Sequence, residues 1–218
     1  MRHEIREFAD VDVLAAAAAS FVAERARRAV ATTGRFHFAV SGGRTPWKMF
    51  ADLVSRDVPW EQTVIYQVDE RVAPADDPER SLTHLREVFA TVDPLIEQMP
   101  VNDDDINAAA QRYGALLPAR LDLVHLGLGP DGHTASLVPG DPVLDVTDRL
   151  VAITGLYQGC RRMTLTYQAL IRADQLLWLV TGSDKREPLS LLLGGDASIP
   201  AGRVEASHSL IMTDQAAA

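Results

Sequence analysis

Hydrophobic and polar positions along the chain switch between a helical period and short apolar runs. Val11 to Thr33 carries the alanine run Ala15–Ala19 and stops at Gly34, which predicts a long helix with a glycine end. Phe36-His37-Phe38-Ala39-Val40 is a short apolar run broken by Ser41-Gly42-Gly43, and predicts a buried strand. Pro46 suits the first turn of a helix over Trp47–Ser55. Further strands are predicted at Thr63–Val68, Leu121–Leu126, Leu150–Ile153, Met163–Thr166, Leu176–Thr181 and Ser209–Met212. Helices are predicted at His84–Ala90, Asp105–Leu117, Tyr167–Ala173 and Lys185–Leu193. No element is assigned before Val11 or between Ala90 and Asp105. Strand, loop and helix alternating in this way predict an α/β fold: an open, mostly parallel, Rossmann-like sheet flanked by helices. Residues 1–218 read as one domain, with 75–115 a candidate small lobe.

Composition narrows the classes. The chain has 218 residues, 47% hydrophobic and 23% charged, as in ordinary soluble globular proteins. The net charge of −9 disfavours nucleic acid and anionic membrane surfaces as partners. The acidic stretch Met1–Asp12 is the wrong pattern for a signal peptide, and no run approaches the ~20 apolar residues of a membrane span. Cys160 is the only cysteine, so no internal disulfide can form and a cytoplasmic setting is expected. The basic set holds 19 arginines and two lysines, Lys48 and Lys185. An acidic chain that binds a small anion must gather such cations locally.

In an open α/β sheet, ligands sit beyond the carboxyl ends of the strands. Four sets of residues follow strands directly. Ser41-Gly42-Gly43-Arg44-Thr45-Pro46 joins a strand to a helix: backbone N–H groups, two hydroxyls and a guanidinium there suit an anion, and a plain capped turn is the alternative. Asp69-Glu70-Arg71 could bind sugar hydroxyls or steer a phosphate, or form an ordinary ion pair. Gly127-Leu128-Gly129-Pro130-Asp131-Gly132-His133 contains a dinucleotide-like glycine spacing. However, Asp131 and His133 sit in the turn, where a carboxylate would repel a pyrophosphate, and Val138-Pro139-Gly140 interrupts any helix. An Asp and a His two apart on a glycine turn suit proton transfer instead. His125 lies within the strand and reads as a core histidine. The spacings match no zinc motif, so neither a metal nor another cofactor is expected. The fourth set is Arg161-Arg162-Met163-Thr164-Leu165-Thr166 with Thr181-Gly182-Ser183-Asp184-Lys185, which places one lysine at a helix start; which of the two arginines meets a ligand stays open.

These motifs together resemble the 6-phosphogluconolactonase family and its relatives, the glucosamine-6-phosphate deaminases/isomerases. The pieces are Ser-Gly-Gly-Arg-Thr-Pro at 41–46, Asp-Glu-Arg-Val-Ala-Pro at 69–74, Gly-Leu-Gly-Pro-Asp-Gly-His-Thr-Ala-Ser-Leu at 127–137, Arg-Arg-Met-Thr-Leu-Thr at 161–166 and the Lys185 turn, in family order. Thr-Ala-Ser-Leu after the Gly-His favours the lactonase branch, because deaminases carry Ile-Ala-Phe-Asn-Glu there. Two departures stand out: Arg44 replaces a small polar residue, and Glu79–His84 replaces a Ser-Asn-Tyr pattern. The resemblance implies hydrolysis of 6-phospho-D-glucono-1,5-lactone, the second step of the oxidative pentose phosphate pathway. It implies His133 as general base and Asp131 as its partner or as a holder of the lactone. Ser41, Gly42, Gly43, Arg44, Thr45, Asp69, Glu70, Arg71, Arg162 and Lys185 are the expected substrate and phosphate contacts. The expected partner is a small sugar-phosphate lactone, and the expected state a monomer or small homo-oligomer. A deaminase/isomerase and a non-catalytic sugar-phosphate binder are the competing readings.

Overall fold

The structure, a computed structural model, describes residues 3–218. In chain order the elements are β1 (Glu4–Phe8), α1 (Val11–Thr33), β2 (Phe36–Val40), α2 (Arg44–Leu53), β3 (Thr63–Gln67), β4 (Asp69–Arg71), α3 (Ser81–Phe89), β5 (Leu95–Glu97) and α4 (Ile106–Leu116). They continue with β6 (Leu123–Gly127), β7 (Val151–Ile153), β8 (Arg162–Leu165), α5 (Tyr167–Leu170), β9 (Gln175–Val180), α6 (Arg186–Leu193) and β10 (His208–Asp214).

Local chemistry sets the helix ends. The Asp10 carboxylate accepts from the Asp12 and Val13 backbone N–H groups and starts α1, and Gly34 stops it with φ of 82°. Leu14, Ala15, Ala18, Ala19, Val22, Ala23 and Ala26 form the buried stripe, and their small side chains let α1 lie close to α2 and the sheet.

Seven strands form one parallel sheet in the order β1-β10-β9-β6-β2-β3-β5. Both faces are covered. Phe36, Phe38 and Val40 of β2 pack with α1, α2 and α3, whereas Ala39 faces the opposite core with α4, α5 and α6. In β9, Leu177 and Leu179 point one way and Leu176, Trp178 and Val180 the other. Strands buried on both sides read as continuous apolar runs, and these are the strands the sequence pattern located. Within this sheet the two strands it missed are edges: β1 is almost wholly exposed and charged, and β5 has three residues, one of them the exposed Leu95. Residues 75–115 do not stand apart as a lobe. Their strand β5 pairs with β3, and α4 packs on β7 while its Tyr113 hydroxyl bonds the Gln67 backbone.

A second, antiparallel sheet, β4-β8-β7, starts where the chain leaves β3 at Val68. From β2 the chain crosses to β3 on one side; from β6 it crosses to β9 on the other. The neighbouring β2 and β6 therefore bracket the point where the winding direction reverses, and a crevice opens beyond their carboxyl ends.

Candidate active site

That crevice is a cleft of about 890 Å³, at the upper end of the usual range for small-molecule sites. The Ser41–Thr45 loop, β4, the turn after β6, Arg162 of β8 and the Thr181–Lys185 turn all meet on its walls.

The turn after β6 brings an aspartate and a histidine together. Gly129 N–H donates to the His133 carbonyl at 2.8 Å and Gly132 N–H to the Gly129 carbonyl at 3.0 Å, so the turn folds back on itself. His133 lines the cleft. Asp131 sits behind its ring, with Oδ1 2.5 Å from Nδ1 and 3.2 Å from the His133 backbone N–H. The carboxylate thus holds the proton on Nδ1 and leaves Nε2 without a protein partner among the described residues. Burial alone would raise Asp131, but the His133 charge and its hydrogen bonds outweigh it and hold the carboxyl below the usual range. Of the two roles open for Asp131, the geometry supports the imidazole holder.

The opposite wall is cationic. α2 opens at Gly43 with no side-chain cap, so its first N–H groups face the cleft unpaired by a side chain. Ser41 is buried, and its Oγ has no partner among the described residues. Thr45 Oγ1 shares a hydrogen bond of 2.7 Å with Thr181 Oγ1. Lys185, only 18% exposed, pairs with Asp184 at 2.8 Å. The Lys185 hydrogen bond, with a smaller pull from Arg44, holds Asp184 below the usual carboxylate range, and Arg44 and Lys185 line the same cleft. Lys48 lies on the rim, paired with Asp12.

Between these walls stands the small sheet. Arg71 faces Arg162 across the β4–β8 pair and balances its charge on Glu79 at 3.5 Å. Arg162 is buried with Nε unpartnered, whereas Arg161 is exposed and donates to the Thr154 carbonyl, so Arg162 is the arginine in the cleft. Arg162 touches the neighbours of the dyad rather than Arg44 or Lys185. Asp69 is partly buried and accepts from Ser136 Oγ at 2.5 Å; burial pushes its carboxyl up, against the pull of Ser136 and Arg162. Glu70 has a different task from the expected ligand contact. Its two oxygens accept from Gln67 Nε2 and from the backbone N–H groups of Arg71, Ser81 and Leu82, and lie 3.5 Å from buried Arg80. The carboxylate is spent on anchoring the start of α3.

Three other wall residues escaped the sequence reading. Ser81 lies so close to Gly42 that a Cβ on the glycine would come 2.6 Å from Ser81 Oγ, and His84 lies tilted against Trp47 with centroids 5.1 Å apart. The departure at Glu79–His84 therefore reshapes the cleft wall without emptying it. His125 is a core residue: it accepts from the Ser41 backbone N–H at 3.4 Å, meets Phe50 edge-on, and is held by burial at about 3, far below the usual imidazole range. Among the described residues no group of three or more His, Cys, Asp or Glu side chains is placed to hold a metal, and no helix is long and apolar enough to cross a membrane.

The sequence model of the glucosamine-6-phosphate isomerases/6-phosphogluconolactonase family matches residues 9–213. The chain belongs to this family. A 6-phosphogluconolactonase of Synechocystis is 34% identical over 217 residues, covering 90% of this chain and 89% of that protein. The human GDH/6PGL endoplasmic bifunctional protein is 37% identical over 186 residues, covering 76% of this chain but only 23% of that much longer protein. Among solved structures, a 6-phosphogluconolactonase from Thermotoga maritima superposes with a TM-score of 0.88 at 23% identity, covering 98% of this chain and all of that one. A monomeric glucosamine-6-phosphate deaminase superposes almost as well, with a TM-score of 0.87 at 19% identity and 98% of both chains covered. The family fold thus serves both branches, and only the site can separate them.

Proposed function

We propose that the chain hydrolyses 6-phospho-D-glucono-1,5-lactone to 6-phospho-D-gluconate by general-base activation of water. The observation that carries this reading is the His133–Asp131 hydrogen bond, which leaves Nε2 free on the wall of a cleft with a cationic far side. His133 Nε2 takes a proton from water as the oxygen attacks the lactone C1. The tetrahedral intermediate collapses with cleavage of the C1–O5 bond, and the imidazolium returns its proton to O5. The acid product ionises, so each turnover releases one proton to solvent. A δ-lactone is an activated ester, so one oriented base and a positioned water suffice.

Arg44 and Lys185, with Ser41, Thr45 and the N–H groups at the start of α2, take the 6-phosphate. Arg162 takes the developing oxyanion, where a preorganised donor is worth several kcal/mol. Asp69 and Arg71 line the sugar's path. The pairing of β1 with β10 supports one domain over residues 1–218, and the single cysteine supports a cytoplasmic setting. A monomer or small homo-oligomer needs nothing beyond this cleft.

The deaminase reading is weaker, because the fifth position after His133, where the Ile-Ala-Phe-Asn-Glu pattern carries its carboxylate, is Val138. The test is proton release from freshly made lactone, corrected for spontaneous hydrolysis. His133→Ala should lower kcat/KM by about 10²–10⁴-fold. Near-parental turnover would sink the base assignment, and ammonia release from glucosamine 6-phosphate would move the chain to the other branch.

A further inference from the structure

The β7–β8 connection holds a side chain that touches three members of the site from outside every motif. Tyr157 donates its hydroxyl to Asp131 Oδ2 at 3.3 Å, the oxygen that does not face His133. Its ring meets the His133 ring edge-on, with centroids 5.6 Å apart and planes at 66°. The guanidinium of Arg162 lies over the same ring, 5.2 Å from its centroid. Burial and the neighbouring Asp131 both push the Tyr157 hydroxyl up, so it stays a donor across the working range.

The backbone is built to put it there. Tyr157 and Cys160 close a two-residue hairpin, N–H to carbonyl at 3.0 and 3.3 Å, with Gln158 at φ of 50° and Gly159 at 80°. Two left-handed residues in succession are the mark of a tight turn matched to strand twist. Gln158 accepts that conformation although it is not glycine, and its Oε1 reaches Arg162 Nη2 at 3.5 Å.

We propose that Tyr157 is a positioning residue of the active site: its hydroxyl fixes the Asp131 carboxylate against His133, and its ring seats the guanidinium of Arg162. The hydroxyl bond is long, as catalytic hydrogen bonds often are before a ligand tightens them. The cation over the ring face is attractive and keeps a buried guanidinium aimed while its Nε has no partner. The charged and titratable groups facing this cluster are Asp131 and His133 from the β6 turn and Asp69 and Arg162 from the small sheet.

The inference rests on the dyad of the proposed function, and two variants separate the two parts of the tyrosine. Tyr157→Phe keeps the ring and removes the hydroxyl; kcat should fall about tenfold, ~1.4 kcal/mol, with KM within twofold. Tyr157→Ala removes the seat as well and should lower kcat further. A role in folding alone would change the yield of active protein and leave kcat per active site intact. A second readout needs no turnover: in Tyr157→Phe the His133 Nδ1 proton resonance should shift, because its acceptor loses a competing donor. If His133→Ala retains full activity, the functional reading fails while this resonance still decides on Tyr157. Parental kcat together with an unmoved resonance in Tyr157→Phe would overturn the proposal.

Discussion

Gly129 is where the site leaves no room. A Cβ there would come 2.1 Å from His133 Nδ1 and 2.7 Å from Asp131 Oδ1, so the glycine is needed for the dyad to pack on its own turn. Gly129→Ala should therefore push the imidazole off its carboxylate without opening the core. Since a misplacement of about 1 Å can cost 10²-fold, kcat/KM should drop by about that factor while circular dichroism stays native. Parental activity in this variant would mean that the ring has freedom the packing denies. The dyad was legible because Gly129, Asp131 and His133 lie within five positions and their types imply both the turn and the proton chemistry. Ser136 lay inside the same motif, but its partner Asp69 is 67 residues away. Tyr157 reaches Asp131 over 26 residues from a connection with no pattern of its own, and only the fold brings them together.

At the level of elements, the pattern read best what was buried on both faces. β2, β6 and β9 were located to within two residues, whereas the edge strands β1 and β5 carry no apolar run to find. Glu70 shows the matching limit for charge: a carboxylate at a strand end looks the same in sequence whether it meets a ligand or anchors α3. His125 joins two elements, since β6 offers its Nδ1 to the backbone N–H of Ser41, where the loop after β2 begins. That bond requires a neutral ring. The ordinary imidazole value is 6.5, and burial lowers it to about 3 in the fold. The unfolded chain therefore takes up the proton first as the pH drops. The stabilisation is complete above about pH 6.5 and is lost as the pH falls toward 3, on the order of 3 kcal/mol by pH 4. Denaturant midpoints from pH 8 to 4 should show it: the parent should lose more stability than His125→Gln, whose side chain does not titrate. Parallel curves for the two proteins would remove His125 from the acid response.

For the whole molecule, a net charge of −9 disfavours an extended basic face but not a single basic spot. Arg44 and Lys185 form such a spot, framed by Ser41, Thr45 and the uncapped start of α2. Because the surrounding field is acidic, an incoming phosphate is attracted only at short range, and two or three cations must supply the attraction. On the proposed function Lys185 would hold the ground-state phosphate and the transition-state phosphate alike, so removing it would be a loss of uniform binding. A hydrogen bond to a charged group is worth about 1.5–3 kcal/mol, so Lys185→Ala should raise KM by about 10–100-fold and leave kcat nearly unchanged. The fold should be unaffected, since among the described residues the lysine pairs only with exposed Asp184. Salt gives an independent check. With a Debye length of about 10 Å at 0.1 M, raising ionic strength should increase KM for the parent, and do so less for Lys185→Ala. Inorganic phosphate should compete with the lactone in the parent and weaken as a competitor in the variant. A kcat loss at constant KM would instead move Lys185 from the phosphate to the reacting end of the substrate.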